Sequence, residues 1–469
     1  MILFILLFAN CLCYSQTIFQ KTYLDSCRGY KIIETYNNEF IALGDIDKYI
    51  RTDTVIDTIG PIDTFIYRVV TKDVLVIKTN FQGDTIWTKE YGGVNYEYAQ
   101  SIIQTRDSNF IILATDSSYN LWVFKIDSNG NKIWEKTYTD ILPGDIQLCK
   151  DGYLITGHTS HIPSGQTDIF LLKINNLGDS VWYRNYGDSI KSERGISLMQ
   201  TQDSGYLVLG SSTRKMHILK TDSLGNVLWQ KETIEDAGFF PINAVSTFDN
   251  GYLILYNYGE TPILNIEPRL LKLNSKGDSL WTTSYFDYNL YDRGYSLITT
   301  TDSAFVISGG MNGNVSPNNQ IFLIKVDSLG NVLWQNLYYF GGQYFDFAKS
   351  VFHTSDNGYV LTGYSATRKL FIIKTDQSGH MKIENPSPPD NPVFIFPIPT
   401  SDRIYIKNLD PLINEMAIEI IDINGKSMIQ DTIESDSDYI SVKSLKSGIY
   451  FCIVSTNSYK TYHKIIISK

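Results

Sequence analysis

Few residues in this 469-residue chain have the type and spacing to do chemistry. Its six histidines are His158, His161, His217, His353, His380 and His463. Only His158 and His161 stand close together, in "GHTSHIPSG", and zinc there would need further ligands that the neighbouring sequence does not supply. The segments "DSNGN" and "DSLGN" set oxygen-bearing side chains around a glycine, as a calcium loop does. Such a loop also needs a distal carboxylate and several converging ligands. Here an apolar strand follows at once, so a hairpin turn is the expectation. No GxSxG, HExxH or phosphate-binding loop occurs. With 50 acidic residues, counting carboxylate pairs decides nothing about glycosidase chemistry. No catalytic residue, metal site or cofactor is assigned on these grounds.

The elements that would position any site are legible as a repeat. A lysine, a turn and a tryptophan nine residues after the lysine recur at Lys78/Trp87, Lys125/Trp134, Lys173/Trp182, Lys220/Trp229, Lys272/Trp281 and Lys325/Trp334. Lys374 begins a seventh copy, with Ile383 at the tryptophan position. Successive lysines lie 47 to 53 residues apart, a period that signals a propeller, solenoid or array. Each copy reads as four short strands, as in "QSIIQT", "FIILAT", "LWVFKID" and "KIWEKTY". Strands such as "VLVIK" and "IFLIK" are apolar on both faces, which suits a sheet buried between two neighbours.

The expectation is an all-β, seven-bladed β-propeller over residues 16–383. The seventh copy lacks a fourth strand, but "TIFQKTY" at residues 17–23 matches "KIWEKTY", with Phe19 at the tryptophan position. The N-terminal strand should therefore complete the last blade and shut the ring. An insertion between Asp45 and Lys72 in the first blade reads as a protruding hairpin. The repeated lysines read as structural, with stems covering tryptophan faces.

The connections from a fourth strand to the next blade, and from second to third strand, share one side of a propeller. Here they are long, variable and rich in Tyr, Phe, Asp and Arg, whereas the opposite turns are short and uniform. Ligand recognition is expected on that long-loop face, with Tyr96, Tyr98, Arg194, Tyr288, Tyr291, Arg293, Tyr344 and Phe345 as candidates for a glycan or protein ligand. The other reading is a polysaccharide-directed enzyme with acids at the central mouth. A formal net charge of −10 leaves no basic surplus for nucleic acid.

The first fifteen residues, "MILFILLFANCLCYS", are shaped like a secretory signal and are too short to span a bilayer. No later segment is long and apolar enough to be transmembrane, so none is expected in the mature chain. Without the signal three cysteines remain, Cys27, Cys149 and Cys452, which form no disulfide framework. A Pro-rich linker, residues 384–392, precedes a small β-sandwich over 393–469.

Within that sandwich, "FPIPTSDRIYI", "IEIIDINGKSMI", "LKSGIYFCIVST" and the terminal "KIIISK" resemble the type A C-terminal sorting domain of the type IX secretion system. The matching positions are Pro397 and Pro399, Gly425 and Lys426, Gly448 and Tyr450, and Lys464 and Lys469, although Ile398 stands where the family has Asn. The resemblance implies engagement of the type IX secretion machinery. It also implies export through periplasm and outer membrane to the cell surface or the medium. The repeats loosely resemble quinoprotein and outer-membrane assembly propellers, which supports fold and not function.

Overall fold

Each repeat forms a four-stranded antiparallel sheet, because runs of β-branched and aromatic residues are punctuated by turns that Gly, Asn, Asp and Ser favour. The computed structural model describes residues 17–57, 63–160, 166–187, 191–212, 215–233, 238–259, 266–285, 292–311, 320–339, 346–365, 367–381, 393–396, 400–408, 415–422, 426–434, 439–456 and 460–469. The signal segment and the Pro-rich linker lie outside them. Two compact units result, residues 1–382 and 383–469. Among the described residues no helix is long and apolar enough to cross a membrane.

The first unit is a ring of seven blades. Blades 2 to 6 each use four consecutive strands; in blade 2 these are Tyr98–Gln104, Phe110–Thr115, Leu121–Ile126 and Lys132–Tyr138. Every residue of Leu121–Ile126 is buried, as a third strand covered on both faces requires. Blade 7 takes its first three strands from Phe347–His353, Tyr359–Tyr364 and Leu370–Thr375, and its fourth from Phe19–Tyr23. That strand pairs antiparallel with the third, and Phe19 faces Lys374 as each repeat tryptophan faces its lysine. Blade 7 then packs on blade 1, where Ile32 N donates to Ser350 Oγ at 3.2 Å. The ring is closed, and the expected strand closes it.

In blade 1 the second and third strands, Phe40–Asp57 and Asp63–Thr79, stay paired out to Asp57 and Asp63. The insertion is thus the hairpin expected.

Two repeated contacts on the short-turn side explain the conserved spacing within the copies. First, the seven lysines are buried, and each pairs with an acid in the short turn of its own blade. The distances are 2.6 Å for Lys78–Glu39, 2.7 Å for Lys125–Asp107, 3.0 Å for Lys173–Asp151 and 2.9 Å for Lys220–Asp203. They are 2.8 Å for Lys272–Asp249, 2.7 Å for Lys325–Asp302 and 2.9 Å for Lys374–Asp356. The role is structural, as read from sequence, but the ammonium seeks a carboxylate rather than the tryptophan face. A buried cation is better compensated by a charged oxygen than by a ring quadrupole.

Second, the outer strand latches onto the next blade. The tyrosine four residues after the tryptophan donates its hydroxyl to the carbonyl of the next blade's turn glycine. Tyr91 reaches Gly130, Tyr186 reaches Gly225, and Tyr23 reaches Gly83, each at 2.6 Å. Tyr285–Gly330 at 3.1 Å and Tyr338–Gly379 at 2.5 Å follow, and Tyr138 bonds Gly178 likewise. The turn glycines have φ between 73° and 86°, a region that side chains rarely enter. A Cβ on Gly178 would also lie 2.8 Å from the Trp134 ring.

The second unit pairs a sheet of Val393–Phe396, Arg403–Asn408 and Tyr439–Ser441 with a sheet of Ser427–Glu434, Glu415–Asp422, Gly448–Ser455 and Lys460–Ile467. Ile404, Ile418, Ile420, Cys452, Val454 and Ile465 fill the sandwich between them. Gly448 opens its strand and pairs with Ile467, and Tyr450 pairs with Ile465. Lys464 and Lys469 are exposed, and Lys426 N closes a hairpin on Asp422 at 2.9 Å. Pro397, Pro399 and Gly425 lie outside the described residues.

Candidate functional site

The first strand of each blade lines the hub. Lys31 of blade 1 hydrogen-bonds Ser101 of blade 2 at 3.0 Å and reaches Asp145 of blade 3 at 3.4 Å, a span open only to strands around the axis. Asp145 also accepts from Leu198 N of blade 4 at 3.2 Å.

In all seven first strands the register slips by one residue at the same place, leaving a bulged residue. A bulge re-aims its side chain and sharpens the local twist. The bulged residues are Tyr30, Gln100, Gly144, Ile196, Ile242, Tyr295 and Lys349. Around most of the hub they are polar, small or aliphatic. In the consecutive blades 6, 7 and 1 they are Tyr295, Lys349 and Tyr30.

These three stand beside residues at the strand heads, just after the long loops. The Lys349 ammonium sits 3.4 Å from the centre of the Tyr295 ring, with Phe347 at 5.4 Å and Tyr364 at 5.8 Å. The Arg28 guanidinium also lies 5.8 Å from the Tyr364 ring centre. Arg293 bonds the Tyr295 side chain. Burial first, and the Arg293 charge second, push the Lys349 ammonium down to about 7. Burial pushes the Tyr295 phenol up to about 12. Among the described residues none of Arg28, Arg293 and Lys349 forms an ion pair with a carboxylate. Asp45 and Asp47 offset the Arg28 charge, so Arg293 and Lys349 are the cations on the aromatic wall left to favour an incoming anion.

Acids do stand at four strand heads, Glu97, Glu193, Asp292 and Asp346, but they are 7%, 3%, 1% and 2% exposed.

The sequence candidates divide. Arg293 belongs to the cluster. Arg194 holds the same strand position in blade 4, exposed, and burial together with its charge lowers His158 to about 4. The Arg194 charge beside His158 disfavours a second cation there, and His161 lies outside the described residues. Tyr96 and Tyr98 stack at 6.4 Å in blade 2, with Lys72 5.0 Å over the Tyr98 ring. Tyr288, Tyr291, Tyr344 and Phe345 lie outside the described residues. Sequence reasoning missed Arg28, Tyr30, Tyr295 and Lys349, whose convergence depends on bulges that only pairing register reveals.

A second cluster in blade 4 has metal-ligating chemistry. His217 Nδ1 is 3.4 Å from Glu193 and 3.8 Å from Glu232, but Lys191 already binds Glu232 at 3.0 Å, which lowers the charge available to a cation. The signal in sequence was His217 itself, standing where four of the six other third strands carry Trp122, Phe170, Phe322 and Phe371, and the remaining two Leu75 and Arg269.

Comparisons with known proteins bear on both units. Residues 394–468 match the secretion system C-terminal sorting domain family. No curated protein matches the chain. Among solved structures, Drosophila Plexin A in complex with Semaphorin 1b is 7% identical, with 76% of this chain and 86% of that chain covered and a TM-score of 0.42. The K499G mutant of the NanB sialidase of Streptococcus pneumoniae is 8% identical over 77% of this chain and 70% of that chain, with a TM-score of 0.41. PorZ, a surface component of the type-IX secretion system of Porphyromonas gingivalis, is 9% identical over 96% and 100%, with a TM-score of 0.18. Such distant likenesses carry no argument about what this chain binds. The C-terminal match agrees with the order of motifs read along residues 397–469. Residues 394–468 are a type IX secretion system C-terminal sorting domain, and the chain that carries it is a β-propeller protein exported to the cell surface or the medium.

Proposed function

We propose that the exported propeller is a non-enzymatic binding scaffold that recognises a carboxylate-bearing glycan at the long-loop mouth of its hub. The observation that carries this reading is the pair Arg293 and Lys349 on the aromatic wall of Tyr295 and Tyr364, with Arg28 beside Tyr364 and partly offset by Asp45 and Asp47. A sugar acid offers both complements, an anion for the cations and an apolar ring face for the aromatics. Burial of the four strand-head acids supports binding over hydrolysis, since a glycosidase must present its carboxyls to the scissile bond.

The test is a glycan array on the full secreted chain, followed by calorimetry on the glycans retained, with acidic peptides as a second arm. Acidic glycans should bind, and Lys349→Met should weaken them about tenfold, the scale of one lost charge-assisted bond. Arg194→Ala, at the equivalent place in blade 4, should leave affinity unchanged. Equal affinity in Lys349→Met, or a preference for neutral glycans, overturns the reading. Retention of acidic peptides alone replaces the glycan with a protein ligand.

A further inference from the structure

One junction between blades lacks the latch that the other six share. In blade 4 the position four residues after Trp229 is Thr233, not tyrosine. The Thr233 hydroxyl is turned back to its own blade, where it accepts from Met216 N at 3.1 Å. Gly277, the turn glycine of blade 5, still has its left-handed conformation, with φ of 78°, but among the described residues the six tyrosine latches fall on the other six turn glycines.

The six latched junctions show what a phenol needs there. Each tyrosine sits between two residues, one two places before the lysine of its own third strand and one immediately before the lysine of the next blade. Tyr186 lies in one apolar cluster with Leu171 and Leu219, and Tyr338 with Leu323 and Ile373. The corresponding pair at the blade 4–blade 5 junction is Ile218 and Leu271. Both line a cavity of about 580 Å³, together with Thr233, Tyr256, Gly277 and Thr282. That volume falls within the range of small-molecule sites.

The charges at its rim are already compensated. Lys231 pairs with Asp278 at 2.7 Å, and Arg269 pairs with Glu267 at 2.5 Å while lying 3.8 Å over the Tyr258 ring. A charged ligand would have to break one of these pairs, whereas a neutral ring would not.

We propose that the blade 4–blade 5 junction is a small-molecule site for a neutral phenol, whose ring fills the vacant tyrosine socket between Ile218 and Leu271 and whose hydroxyl donates to the Gly277 carbonyl. The site is separate from the hub mouth, and neither depends on the other.

Calorimetric titration of the full chain with p-cresol tests it, beside 4-methylanisole, which keeps the ring but cannot donate. The wild-type chain should bind p-cresol saturably and about tenfold more tightly than the ether, as one hydrogen bond to an otherwise unserved carbonyl predicts. Thr233→Tyr should restore the latch, abolish p-cresol binding and raise Tm. If that variant does not fold, Ile218→Phe fills the socket from the third strand and must abolish binding instead. Equal p-cresol affinity in the wild type and the filled variant overturns the proposal, as does equal affinity for p-cresol and the ether. Binding of N-acetyl-tyrosinamide without binding of p-cresol overturns its small-molecule form.

Discussion

The two ends of the blades obey different rules. At the short-turn end every blade repeats the same contacts: a buried lysine on a turn acid in all seven, and a tyrosine on the next glycine carbonyl at six of seven junctions. At the long-loop end the bulge recurs in every blade, but the residue placed on it changes from Lys349 and Tyr295 to Ile196 and Gly144. Repetition marks what holds the ring; variation on a constant backbone device marks what the ring presents. A departure at the repetitive end, such as Thr233, is informative for the same reason.

The largest effect that would break this contrast comes from the closing strand. Deleting residues 17–23 removes the fourth strand of blade 7, with the Phe19 and Tyr23 contacts to blade 1. The loss should exceed about 5 kcal/mol, since two part-buried aromatics and a strand pairing go together. Chemical denaturation of the deleted and full chains measures it, and a small change would mean that the ring stands without its clasp.

Next come the lysine pairs, which are not equal. The side chains of Lys374 and Asp356 are 0% and 12% exposed, against 8% and 55% for Lys125 and Asp107. The difference arises at the closing junction, where Glu34 of blade 1 covers the blade 7 turn by accepting from Ser355 N at 2.7 Å. Asp356→Ala strands a fully buried ammonium and should cost about 3 kcal/mol, whereas Asp107→Ala should cost about 1 kcal/mol. Equal losses from denaturant midpoints would show that burial does not grade the pairs.

A smaller effect separates the two ends by pH. Lys349, buried beside Tyr295 and Tyr364 with the Arg293 charge nearby, is held down to about 7. Its charge is present below that value, so anion affinity at the hub should fall as pH rises from 6 to 8, by a factor of about ten at most. Calorimetry across that window in wild type and Lys349→Met distinguishes this group from the arginines, which stay charged.

The smallest effect is acid lability at the turn end. Burial would raise the carboxyls of Asp107, Asp203 and Asp249, but bonds from their lysines and threonines hold them down to about 2. With folded values below the ordinary carboxylate value, the stability they contribute is complete above about pH 4 and is lost as pH falls toward 2. These groups are largely solvated, so each contributes little. A urea midpoint that does not move between pH 5 and pH 2.5 would contradict the assignment.

How much of this was legible beforehand follows from where the signal lay. The lysine, turn glycine and tryptophan are local in sequence, and their recurrence predicted four-stranded blades, a closed ring and Phe19 in the tryptophan slot. The C-terminal motifs are likewise short and ordered along the chain, so the sorting domain was recognisable. The acid partner of each lysine was not read beforehand, because the acid sits in the turn before the second strand and the lysine near the end of the third, and only folding shows that they meet. Of the hub cluster only Arg293 was picked out from the sequence. Arg28 and Lys349 come from opposite ends of the propeller sequence, and neither stands out among its neighbours.

Sequence alone determined the number of blades, the clasp and the export address, since each rests on periodicity or short-range pattern that survives without coordinates. Tertiary structure decided the rest: which acid answers each lysine, where a missing phenol leaves a socket, and which side chains the bulges bring to the mouth. The physical reason is that a one-residue slip in pairing re-aims a side chain while leaving the composition of its strand untouched.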